Sequence, residues 1–246
     1  DLVKEIIALK PAVAVAHGAT AVALKNAGAD FPIVFGYSGD PIAAGLVESL
    51  ARPGGNATGM CFLTLELVGK RMEMVKELLP HARKIGVIAN PLHPGNPAEL
   101  RTSESAAAAL GLEIKYVEAR NTAELMQALA GFDSSPVDAV MLFPVQYIIA
   151  NRAVVADWAM KSRTPTISGW AQFAEGGNLM SYGPNLVTAS RRLAAYVDAI
   201  LKGTKPEALP VELPSMIEFV INLKAAKALA LNLSPSLLVR ADRVIE

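Results

Sequence analysis

Short apolar runs of four or five residues alternate along this chain with longer stretches in which apolar positions recur every three or four residues. Segments 12–16 (AVAVA), 32–36 (PIVFG), 85–89 (IGVIA), 113–117 (EIKYV), 139–143 (AVMLF) and 165–168 (PTIS) read as strands. Most are apolar without alternation, as expected of parallel strands covered on both faces. Between them the periodicity predicts helices over 19–27, 42–50, 65–79, 96–110, 122–130 and 148–162. A repeating strand–helix rhythm predicts a doubly wound α/β fold with parallel sheets and right-handed crossovers.

The rhythm breaks twice, at the glycine-rich 52–56 (RPGGN) and at 176–178 (GGN), which leads into a strand over 179–182 and a helix over 184–202. Beyond Gly203 come Pro206, Pro210 and Pro214, with brief strands at 211–213 and 217–221. Proline at that spacing suits an extended connection. The breaks read as places where the chain passes between two lobes.

Composition narrows the function. Hydrophobic residues make up 52% of the 246, enough for a sizeable core, and charged residues only 19%. Lys and Arg number 23, as do Asp and Glu, so the basic excess of a nucleic-acid binder is absent. One cysteine, Cys61, excludes a disulfide framework and a cysteine-based zinc site. His17, His81 and His93 fit no metal-binding spacing. No apolar run reaches transmembrane length, and residues 1–10 read as an amphipathic helix, not a leader.

In wound α/β sheets ligands bind beyond the carboxyl ends of the strands, so the candidate residues are those just after each strand. His17-Gly18-Ala19-Thr20 opens a helix, whose free N–H groups and dipole suit a carboxylate. Gly36-Tyr37-Ser38-Gly39-Asp40 resembles a nucleophile elbow but carries Asp40 where the final glycine belongs. Asp40 is expected to be the N-cap of a helix starting at Pro41. Asn96 is expected at least to cap the following helix. Gln146, Tyr147, Gly169, Trp170 and Phe173 bring amide and aromatic groups to strand ends, where flat apolar walls with polar handles suit a small ligand. Trp158, mid-helix, reads as core. Glu66, Glu73 and Glu77, together with Lys70, Arg71 and Lys76, read as a solvated helix face. No pair of carboxylates forms an acid–base couple, so binding without catalysis is the expectation.

Three stretches carry a family resemblance: 40–59 (DPIAAGLVESLARPGGNATG), 177–184 (GNLMSYGP) with 201–206 (LKGTKP), and 221–229 (INLKAAKAL) with 235–238 (PSLL) and 241–245 (ADRVI). Together they resemble the ABC transporter substrate-binding proteins of the tryptophan/tyrosine type. The resemblance implies a periplasmic-binding-protein-like molecule with two lobes, one of 1–59 plus about 183–205, the other of 60–182 plus about 206–246. It implies a periplasmic location, a membrane permease as partner, no cofactor, and a small carboxylate-bearing ligand, an aromatic amino acid or aromatic acid, held in an interlobe cleft. Carried over by position, the ligand residues are His17, Gly18, Ala19, Thr20, Ser38, Asp40, Asn96, Gln146, Gly169 and Trp170; Tyr147 joins them as a strand-end aromatic. Family members commonly carry an Asp soon after the proline that ends the strand at 139–143; here Val145 and Gln146 follow Pro144, which opens the ligand to acids without an amine. Members also have a strand, helix and strand ahead of the point where this chain starts. The first lobe is therefore expected to be incomplete, its open sheet edge covered by a second copy of the chain in a homodimer, unless the chain is a shortened one. An effector-binding regulator of the same fold, or a cleft enzyme such as a hydrolase or racemase, are the rival readings.

Overall fold

Two separate sheets organise the chain in the computed structural model, which describes residues 2–62, 64–93 and 95–246. They belong to two compact units: one built from Asp1–Leu63, His93–Gly95 and Leu186–Met216, the other from Thr64–Leu92, Asn96–Asn185 and Ile217–Glu246.

The first unit carries helix α1 (Leu2–Leu9), strand β1 (Ala14–His17), helix α2 (Ala19–Asn26) and strands β2 (Ile33–Tyr37) and β3 (Ala57–Cys61), paired in parallel in the order β1-β2-β3. Alternation along β2 sends Ile33, Phe35 and Tyr37 to the face packed by α1 and α2, and Val34 to the other. Helix α9 (Leu186–Leu201) covers that second face with Ala189, Leu193, Tyr196 and Ile200. Strand β1 pairs only with β2 among the described residues, and Val15 on it is 53% exposed. A groove of about 310 Å³ lined by Val15, His17, Leu193 and Val197 runs beside this open edge.

Three departures from the sequence reading fall in this unit. Strand β3 follows directly on the glycine-rich break, where no strand was read, and Gly59 on it lies so close to β2 that a Cβ would stand 2.0 Å from the Phe35 carbonyl oxygen. Residues 42–50 form no helix. Asp40 does cap the turn, its Oδ1 accepting from the Ile42 and Ala43 amides at 2.8 and 3.2 Å. Gly45, at φ +71°, ends it after one turn, and the chain drops Leu46 and Val47 into the core. Finally, 206–216, expected with the second lobe, fastens to the first unit. The Thr58 hydroxyl donates to the Leu209 carbonyl at 2.6 Å, the Cys61 amide donates to Glu212 at 2.9 Å, and Arg192 Nε on α9 meets the Glu212 carboxylate at 2.6 Å.

The second unit runs α3 (Thr64–Leu78), β4 (Lys84–Ala89), α4 (Asn96–Ala109), β5 (Glu113–Glu118), α5 (Thr122–Ser134), β6 (Ala139–Leu142), α6 (Gln146–Ala150), α7 (Arg152–Ser162), β7 (Thr166–Ser168), α8 (Ala171–Glu175) and β8 (Met180–Pro184). After α9 it resumes with β9 (Ile217–Asn222), α10 (Leu223–Ala228), α11 (Pro235–Val239) and β10 (Arg243–Ile245). Its sheet has the order β10-β9-β8-β7-β6-β4-β5. All pairings are parallel except β8 with β9, so the expectation of wholly parallel sheets is corrected at one point. The single helix read over 148–162 is two, hinged at Asn151.

Helices cover both faces of this sheet. Val68, Met72 and Val75 of α3 pack with Ile85, Val87, Met141, Phe143 and Phe219 on one side. Leu125, Leu129 and Phe132 of α5 pack with Ile88, Val140, Leu142, Val155 and Phe173 on the other. Each such side chain, withdrawn from water, contributes roughly 1.5–3 kcal/mol. Phe173, marked in the sequence as a candidate wall, is thus fully buried core. Trp158 is only half-buried and donates from Nε1 to Asp133 at 3.1 Å.

Candidate functional site

Parallel pairing brings the carboxyl ends of the strands to one edge of each sheet, and the candidate residues divide between the two edges.

In the first unit, His17 ends β1 and stacks on Phe62 with ring centroids 6.3 Å apart. Gly36 gives it room, since a Cβ there would lie 2.5 Å from His17 Nδ1. Gly18 follows at φ +55°, the left-handed region that glycine tolerates, and opens α2 without a side-chain cap. Ala19 and Thr20, in the first turn, are exposed. The sequence thus presents a helix N-terminus there, as read. After β2, Ser38 is buried, Gly39 accepts from Cys61 Sγ at 3.3 Å, and Asp40 is exposed. His93, which belongs to this unit although distant in sequence, stacks on Tyr37 at 6.2 Å and accepts from the Gly95 amide at Nδ1.

Burial lowers the pKa of both His17 and His93. The unfolded chain takes up protons near pH 6.5, the folded one only below that. Their contribution to stability is therefore complete above pH 6.5 and lost as the pH falls through the lowered values. Melting temperatures between pH 7.5 and 5.5 are expected to fall more steeply for the natural chain than for a His17→Gln/His93→Gln variant. Equal slopes would show that neither ring is held neutral by the fold.

In the second unit, α4 starts at Asn96 itself. The side chain does not cap the helix as expected. It turns to Tyr116 on β5, donating from Nδ2 to the hydroxyl at 3.0 Å and accepting from it at 3.1 Å. After β6 comes Pro144, then Gln146, exposed at the start of α6, and Tyr147, whose hydroxyl donates to the Ala119 carbonyl. Burial pushes the Tyr147 pKa up to about 12. Asn96 and Tyr147 therefore spend their polar groups inside the unit. Glu175 ends α8 paired with Arg243.

The densest arrangement lies after β7. Gly169 is buried, and a Cβ on it would stand 2.7 Å from Arg71 Nη2 and 2.8 Å from Pro144 Cγ. Trp170 is 8% exposed, and its Nε1 has no hydrogen-bond partner among the described residues. Arg71 reaches this edge from α3, donating from Nε to the Tyr182 carbonyl at 2.8 Å. The reading of Arg71 as part of a solvated face is corrected: it is 0% exposed. Desolvation pushes its pKa down to about 10, opposed by the nearby negative charge of Glu99, itself buried. Both terminal nitrogens lack a protein partner among the described residues. The signal was in the sequence: Val68, Arg71, Met72 and Val75 stand at i, i+3, i+4 and i+7, so Arg71 sits on the apolar stripe. Glu73 and Glu77, off that stripe, are exposed and paired with Lys70 and Arg240.

Among the described residues no group of three His, Cys, Asp or Glu could hold a metal, and no helix is long and apolar enough to cross a membrane. The family model described as ABC transporter substrate binding protein matches residues 1–245. The chain belongs to this family. It is similar to a tyrosine-binding protein of Clostridioides difficile (strain R20291), with 28% identity over 211 residues, 85% of this chain. The chain spans 60% of the length of that curated relative. A crystal structure of a conserved domain protein from Vibrio cholerae O1 biovar eltor matches 99% of this chain and 81% of the other, at a TM-score of 0.90 and 28% identity. The ABC domain from Streptococcus pneumonia in complex with L-Trp matches 99% and 82%, at 0.87 and 26%. These findings point to a family of binding proteins with a two-lobed α/β fold.

Proposed function

We propose that this chain is the solute-binding component of an ABC importer, holding a small carboxylate-bearing ligand, an aromatic amino acid or aromatic acid. The observation that carries the reading is membership of the substrate-binding family over residues 1–245. Two relatives support the ligand class: one is named tyrosine-binding, and the other was solved with L-Trp. On this reading the protein works in the periplasm and hands its ligand to a membrane permease.

Within each unit the candidate contacts lie at its own strand ends. The first contributes the helix N-terminus at Gly18, Ala19 and Thr20, with His17, Ser38 and Asp40 beside it. The exposed amides and positive dipole end suit a carboxylate or a polar substituent. The second contributes Gln146, Gly169 and Trp170, with Asn96 and Tyr147 as supporting walls. An indole with an unpaired N–H offers both a flat apolar face and a donor. Each role proposed here is that of a binder.

Purified protein is expected to melt higher with L-tyrosine, L-tryptophan or an arylpropionate. At one hundred times Kd the gain is about 2.7 kcal/mol, which for a chain of this size shifts Tm by about 5–10 °C. A differential scanning experiment with mass spectrometry of the recovered ligand checks this. No shift with any of the compounds overturns the ligand class, and a compound recovered chemically altered overturns the binder reading.

A further inference from the structure

We infer that Arg71 is the carboxylate anchor of the solute site. The assignment rests on the solute-binding reading above and names the group that takes the ligand's anionic end. Arg71 is 0% exposed, yet only one of its three guanidinium nitrogens is engaged, Nε on the Tyr182 carbonyl. Nη1 and Nη2 have no hydrogen-bond partner among the described residues. Each buried N–H left unpaired costs about 1–3 kcal/mol, and more where charge is involved. A helix that needed only packing here could place leucine at this position on its apolar stripe. Retaining a cation implies that its two free ends have a use.

Position supports that use. The guanidinium lies against Gly169, just past the carboxyl end of β7, with Pro144 from the end of β6 on the same glycine. Gly169 has no side chain to stand between Arg71 and what approaches, and any Cβ there would strike Nη2. This is the edge at which wound α/β sheets take their ligands. Trp170 follows directly, with its own unpaired N–H.

Chemistry selects the ligand's group. With Nε occupied, Nη1 and Nη2 present an end-on fork whose spacing matches the two oxygens of a carboxylate. Withdrawal from water strengthens that contact. Glu99, buried and acting on Arg71 through space, already balances one positive charge. With Arg71 and Glu99 cancelling, a doubly charged phosphate would leave two negative charges in excess in a dry place, a monoanionic acid one and a zwitterionic acid none, so the zwitterion is favoured.

Three probes of the same shape test the assignment by calorimetry: L-tryptophan, indole-3-propionate and tryptamine, which lacks the carboxylate. The natural protein is expected to bind the two acids and to bind tryptamine about 100-fold more weakly. Arg71→Met should lose about 100-fold in affinity for the acids and leave tryptamine unchanged. Arg71→Lys, which keeps the charge without the fork, should fall between. Because methionine also removes the bond to the Tyr182 carbonyl and leaves buried Glu99 without the nearby positive charge, the ligand-free variant is expected to melt lower than the natural protein, and affinities are compared below its melting point. If it fails to fold, the lysine variant and the tryptamine comparison on the natural protein still decide. Acids bound equally by the natural and Arg71→Met proteins, or tryptamine bound as tightly as tryptophan, would overturn the assignment alone. A natural protein that binds none of the three sinks the solute reading, and Arg71's role with it.

Discussion

Gly183→Ala is expected to cost about 4 kcal/mol or more, enough to unfold the second unit or prevent its accumulation. The reason is steric. A Cβ on Gly183 would stand 1.8 Å from the Gly169 carbonyl oxygen and 2.8 Å from its carbon. Both obstacles are backbone, so no rotamer change relieves them. Strands β7 and β8 are paired next to this point, Ser168 with Ser181, and would have to part. On its other side Gly183 is paired with Glu218 of β9, so the strain spreads across three strands. Urea unfolding followed by circular dichroism measures the loss. Gly131→Ala is the control: it lies in the exposed part of α5 with nothing within 4 Å of the added carbon. There alanine should stabilise by about 0.5–1 kcal/mol, because glycine's backbone entropy is the only thing removed. A stable Gly183→Ala protein would mean the sheet edge near Gly169 yields more than its hydrogen bonds suggest.

Asn178→Ala is expected to cost roughly 2–4 kcal/mol, from three hydrogen bonds of one buried amide lost at once. Asn178 is 0% exposed. Its Oδ1 accepts from the Thr166 hydroxyl at 2.9 Å, and its Nδ2 donates to the carbonyls of Arg152 at 2.8 Å and Phe173 at 3.0 Å. One amide therefore ties β7 to the start of α7 and to α8. Thr166→Val removes one of these bonds and should cost about 1 kcal/mol. In a double-mutant cycle the two losses should not add, because they share the Thr166 bond. Asn178→Asp should be no milder than alanine, since a carboxylate would face two carbonyl oxygens in a fully buried site. Additive losses in the cycle would show that the amide works through packing and not through its bonds.

Both positions lie within the stretch 177–184 that carried the family resemblance. Glycine at 183 is required by close backbone approach, and asparagine at 178 by its fourfold capacity to bond. Neither reason could be read along the chain, because Gly169, Arg152 and Thr166 become neighbours only on folding.

The candidate site was legible in unequal parts. The segments after β1, β2, β6 and β7 were found from the strand rhythm alone, since in each sheet parallel pairing sends the carboxyl ends of these strands the same way. What their side chains do was not. Asn96 and Tyr147 were read as ligand-facing, yet Tyr116 and the Ala119 carbonyl, each more than a helix away in sequence, claim their polar atoms. Arg71 was missed for a different reason. Its neighbours Lys70 and Glu73 are charged, and composition outweighed its place on the apolar stripe of α3.

The order of elements and their mostly parallel character followed from local pattern, and the family from a resemblance carried by three stretches. Apolar run length, helical period and turn residues act over a few positions, so they survive in the sequence whatever lies around them. Tertiary structure alone decided the rest: the antiparallel β8–β9 pair, the return of 206–216 to the first unit, the single turn that replaced a helix after Asp40, and the depth of Arg71. Each depends on which distant backbone or side chain arrives to take a hydrogen bond or exclude water, and that is settled only when the whole unit closes.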